Sequence, residues 1–168
     1  NAADAQRLQS VLDSITDESS AQRWAALDQL RYFCDGADTM LLEAIGGKKF
    51  GTLAVLLQML DMATEMGGPI AVRTAPEHHR VPVGLVVSLI ECLLCNATSN
   101  LKPFLKNAAG VKNLVSLVSY HEELMFAEHG PEILDRACNI LCYCTFYHPS
   151  SATAAFTAVD GACAPRRV

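Results

Sequence analysis

Charge is scarce in this chain, and it does not read as gathered. Only 18% of the 168 residues are Asp, Glu, Lys or Arg, and the net charge is −5. Nucleic acids and anionic lipids are held by basic patches. Neither is an expected partner, and a neutral or basic one fits better. Long apolar runs are missing too: none approaches the ~20 residues that a membrane-crossing helix needs. The opening NAADAQRLQS lacks the basic-then-apolar layout of a secretory signal. It also lacks an initiator Met, so a piece of a longer protein is expected. Strand-type alternation is nearly absent. There is no Gly-rich phosphate loop, no Ser elbow and no paired Cys-x-x-Cys set. The expectation is a protein that does no chemistry.

What the chain does have is apolar residues, at 51%. That suffices for one domain with a sizeable core. Seven cysteines are an odd number, at 34, 92, 95, 138, 142, 144 and 163. Nearly all fall inside apolar helical patterns. Disulfide frameworks belong to small, loop-rich secreted chains, whereas free cysteine behaves as a small buried hydrophobe. The expected compartment is therefore the reducing cytoplasm, with cytoskeletal association as an alternative.

Apolar residues recur at three- and four-residue steps, the helical period. Leu8, Val11, Leu12 and Ile15 mark a first helix. SSAQRWAALDQLRYFC follows with a serine cap, then TMLLEAI up to Gly46-Gly47 and FGTLAVLLQMLDMATEM up to Gly67-Gly68. Residues 67–82, GGPIAVRTAPEHHRVP, have no helical period and read as a surface loop. Further helices are expected from Pro82 to about Ser99, over LKPFLKNAAG, over VKNLVSLVSYHEELMFAEH in two pieces, from Gly130-Pro131, and from Pro149 to Gly161.

The order of these helices repeats. IECLLCNATSN laid over ACNILCYCTFY puts Leu94 on Leu141 at an offset of 47. Laid over ALDQLRYFCDG, it puts Leu30 on Leu94 at an offset of 64, and removing the loop restores a period of about 48. VVSLIECLLCNATSNLKPFLKNAAGVKNLVSLVS, 86–119, resembles the armadillo family, with HEAT-like repeats the near neighbour. A long third helix ends in Leu-x-Asn, a short first helix ends at Ala-Gly, and a second helix of the LVSLV type follows. The resemblance covers about Ser19 to Gly161. It implies an all-α fold: a right-handed α-α superhelix of about three incomplete repeats, with an N-terminal capping helix and residues 67–82 as an inserted loop, in a single domain over 1–168.

A less apolar stripe runs along the long helices at four-residue steps. It reads Trp24, Asp28, Tyr32; then Ser88, Cys92, Asn96; then Asp135, Asn139, Tyr143. The armadillo resemblance implies that third helices line a groove, where an Asn near each helix end bonds an extended peptide. Only Asn96 matches that position by type; Tyr32 and Tyr143 stand at the others. The aromatics offer rigid contact area, and the aspartates can receive Lys or Arg. The expected function is a protein-interaction scaffold for a partner segment. The alternative is a structural or regulatory module docking on a cytoskeletal protein, a small GTPase or another domain of its own chain.

The remaining polar clusters point to little. Cys92 and Cys95 share a helix face, whereas a zinc knuckle wants its pair on a turn. Asn96-Ala97-Thr98 is a glycosylation acceptor only in a secreted chain. His78-His79 sit in the loop without carboxylates, and His121, Glu122 and Glu123 read as a polar helix end. No metal and no cofactor are expected.

Overall fold

A computed structural model describes residues 2–15, 20–65, 82–127 and 129–162, and every regular element among them is helical. In chain order these are α1 (Ala2–Ile15), α2 (Ser20–Cys34), α3 (Thr39–Gly46), α4 (Thr52–Glu65) and α5 (Val83–Cys95). After a 3-10 turn (Thr98–Asn100) come α6 (Leu101–Leu105), α7 (Ala108–Ser119), α8 (His121–Met125), α9 (Gly130–Tyr147) and α10 (Pro149–Ala162). The expected loop at 67–82 lies outside the described residues except for Pro82, and so do Ser19, Cys163 and the last residues of the tail. No single helix among the described residues is long and apolar enough to cross a membrane.

Local chemistry sets several helix ends. Asp38 caps α3, its carboxylate accepting the N–H of Leu41 at 2.8 Å. Asn107 does the same for α7, accepting from Ala109 at 3.2 Å. Pro131 sits in the first turn of α9, where its missing N–H costs nothing. Gly130 cannot be larger: a Cβ there would lie 1.7 Å from the carbonyl oxygen of Leu124.

Two boundaries differ from expectation. The helix expected over LKPFLKNAAG ends at Leu105, and Ala109-Gly110 lie inside α7, which starts after its cap Asn107. The helix from Pro82 ends at Cys95 rather than Ser99, and the chain bends by 101° into residues 98–105. Asn100 explains the bend. Buried at the turn, its Nδ2 donates to the Leu93 carbonyl at 3.0 Å and to the Leu42 carbonyl at 3.3 Å. The first is one of the carbonyls that the end of α5 leaves unpaired.

α5 lies against α2, α3 and α4 as well as α9. It therefore buries side chains almost all round: Val83, Val86, Val87, Leu89, Ile90, Leu93 and Leu94. α4 packs on α7, α6 on α10, and α3 on the 3-10 turn, while α1 covers α2. The offset of 47 survives in the burial itself. Val86 and Ile133, Ile90 and Ala137, Leu93 and Ile140, and Ala97 and Cys144 are all buried pairs at that spacing.

Leu141 departs from this register. Expected to repeat Leu94 in the core, it is only half-buried, and Ile140 takes the interior position. α5 packs against both α2 and α9, whereas Leu141 lies on a side of α9 that its neighbours, α5 and α10 among them, leave partly open. The cysteines also divide. Cys34 and Cys144 are buried and Cys92 and Cys95 half-buried, but Cys138 and Cys142 are exposed. α9 turns those last two away from the interior that Ala137, Ile140 and Cys144 fill.

Candidate binding face

Three long helices carry the polar stripe, and the structure joins them in the order α2, α5, α9. On α2, Trp24 is 47% exposed and Tyr32 70% exposed. Asp28 pairs with Arg31 of its own helix at 2.8 Å, and the same guanidinium lies 5.8 Å from the centre of the Tyr32 ring. On α5, Ser88 and Cys92 are half-buried and Asn96 is exposed. The Asn96 carboxamide donates to the sulfur of Cys92 at 3.6 Å, a bond within one helix turn. On α9, Asp135 and Asn139 are exposed, and Tyr143 is half-buried with its ring 5.7 Å from Tyr147.

Two contacts tie the rows together. Between α2 and α5, the thiol of Cys34 lies close to that of Cys92. Between α5 and α9, Glu91 accepts from Asn139 at 2.7 Å with one oxygen and pairs with Arg136 through the other. The Glu91 side chain is only 18% exposed, so this fork is sheltered compared with an ordinary surface pair. Asn139 and Cys92 are thus brought against a neighbouring row. Among the described residues, no hydrogen bond or ion pair links Asp28, Ser88 or Asp135 across helices. Tyr32 leans the other way: with Arg7, Gln29 and Phe33 it lines a depression of about 200 Å³ beside α1.

Glu91 and Arg136 were not singled out from the sequence. The available signal was a lone carboxylate in a helix otherwise apolar, 45 residues before an arginine and 48 before an asparagine. Their side chains replace water with each other at the seam between α5 and α9. Beyond the stripe, Phe146 and Tyr147 extend Tyr143 into an exposed aromatic cluster, with ring centres 5.1 Å apart and nearly perpendicular. Edge-to-face pairs of this kind are favourable and hold their shape.

Burial governs the thiols. Desolvation pushes Cys34 up from 9.0 to about 12, with the neighbouring Cys92 adding to it. It pushes Cys95 up to about 12, helped by Glu91, and Cys144 up to about 11. All three stay protonated at neutral pH, and a thiol is a poor nucleophile and a poor metal ligand. Among the described residues, no group of three or more His, Cys, Asp or Glu is placed to hold a metal ion. His121, Glu122 and Glu123 are exposed on α8, and His78 and His79 lie outside the described residues.

No family model matches the chain, and no match is found among curated proteins or solved structures.

Proposed function

We propose that this chain is a non-enzymatic interaction scaffold of armadillo type, its helices piled as a right-handed α-α superhelix with α1 as the cap. The observation that carries the proposal is the contact of three long helices whose sequences align. α2, α5 and α9 follow one another, and Glu91 is shared with Arg136 and Asn139 across the seam. Repeats that bury their apolar faces against copies leave one side of the pile free. In this reading a partner segment lies across the exposed ends of the row. Trp24, Asn96, Asn139 and Tyr143 meet it, and Asp28 and Asp135 receive its basic side chains. Tyr143 with Phe146 and Tyr147 supplies the apolar anchor that binding faces concentrate in a few aromatic residues. The cytoplasm is the compartment that suits its free thiols.

Peptides selected by display on the purified chain test this reading. Bound peptide should shift the amide resonances of Asn96, Asn139 and Tyr143. Asn96→Ala with Tyr143→Ala should weaken it about tenfold or more while the thermal midpoint stays put. Unchanged affinity in a folded double variant would count against the face.

A second reading has one observation in its favour. Met125 and Phe126, the latter 93% exposed, stand at the end of α8. They suit docking by an edge onto a cytoskeletal protein, a small GTPase or a neighbouring domain. Phe126→Ser would then abolish binding that the Asn96 and Tyr143 variant leaves intact.

A further inference from the structure

The charge is segregated after all, and its place in the fold is informative. All five lysines fall at 48, 49, 102, 106 and 112. There is no Asp or Glu between Glu43 and Asp61, nor between Glu91 and Glu122. These two acid-free stretches are distant in sequence. The fold brings them together, because α4 packs on α7 and α3 on the turn before α6.

Between them lies a cleft of about 270 Å³. Leu53, Leu57 and Phe104 give it an apolar lining, and Lys48 stands in its wall. Lys102 and Lys106 are exposed, one helical turn apart, and adjoin the lining residues Pro103 and Asn107. No ion pair joins a lysine to a carboxylate among the described residues. A protein of net charge −5 thus sets Lys48 in the wall of an apolar cleft, with Lys102 and Lys106 next to its lining residues and no carboxylate paired to any of the three among the described residues.

We infer that this cleft docks an acidic segment of a protein partner, one that sets an apolar side chain between Asp or Glu residues. The apolar residue fills the cleft and the flanking carboxylates meet Lys48, Lys102 and Lys106. A nucleic acid fits less well: the lining has no open aromatic platform for bases, and the rest of the chain repels a polyanion. An anionic membrane is met by protruding apolar side chains, whereas here the apolar surface is recessed. The surface is separate from the row on α2, α5 and α9, and the inference does not depend on that row.

The test uses the intact chain and a fluorescein-labelled peptide with two leucines between glutamates. Fluorescence anisotropy should show binding that weakens as salt rises. Lys102→Glu with Lys106→Glu should reduce affinity roughly tenfold, as should replacing the peptide's glutamates by glutamine. Ala54→Trp, at an exposed lining position, should block the cleft without altering charge. Circular dichroism melts matching the parent chain establish that each variant folds. Asn96→Ala with Tyr143→Ala should leave this peptide's affinity unchanged. The inference is overturned if the parent chain does not bind the peptide, or if the charge-reversed or Ala54→Trp chain binds it equally well. It is also overturned if the Asn96 and Tyr143 variant loses it, or if phosphatidylserine vesicles or an oligonucleotide bind through the same lysines in its place.

Discussion

At the scale of single residues, two asparagines four positions apart have opposite circumstances. Asn96 follows α5 in the open, and its side chain donates to the sulfur one turn back. Asn100 is buried and holds two carbonyls from different elements. It also dictates its neighbour, because a Cβ on Gly46 would lie 2.5 Å from the Asn100 amide nitrogen. Asn100→Ala strands the Leu42 and Leu93 carbonyls and should cost about 1–3 kcal/mol in denaturant unfolding. Asn96→Ala should cost far less in the same measurement. The two residues look alike in a string of letters. Which one water reaches depends on the bend at Ala97, where the backbone leaves the helical conformation (φ −135°, ψ 73°).

At the scale of helices, the composition of α5 is explained by its neighbours. It carries Glu91 as its lone charge because helices cover it on more than one side. The same argument predicts a contrast between positions that the repeat aligns. Leu94→Ala empties a fully buried site and should cost about 2–5 kcal/mol. Leu141→Ala, half-buried on α9, should cost clearly less. Guanidinium unfolding of the two variants side by side checks this, and equal losses would mean that α9 is buried as deeply as α5. Helix existence was largely legible in the sequence: periodic apolar residues, with Pro82, Pro131 and Pro149 at helix starts, mark most elements. The sharp turn after Cys95 was not, because Ala97, Thr98 and Leu101 continue a plausible helical pattern. The turn is stabilised by Asn100 reaching α3, a contact 58 residues apart in the chain.

At the scale of the whole molecule, three thiols share one interior and bias its stability with pH. Cys34, Cys95 and Cys144 rise from 9.0 to about 12, about 12 and about 11 because burial disfavours the thiolate. The folded chain therefore holds protons that the unfolded chain releases above pH 9. This contribution is intact below pH 9 and is lost as pH climbs toward 12. The thermal midpoint should fall across that window, and Cys34→Ala should lessen the fall, as parallel melts from pH 8 to about 11 would show. By itself the sequence determined the helical class and the spacing of 47 between several burial-equivalent positions, because each depends on the periodicity of apolar residues. Only the tertiary structure decided that Ile140 rather than Leu141 lies inside, that Glu91 clasps Arg136 and Asn139, and that two lysine-bearing stretches meet around one cleft. Those outcomes depend on which faces are covered by helices distant in the chain, and periodicity within a single helix carries no record of what packs against it.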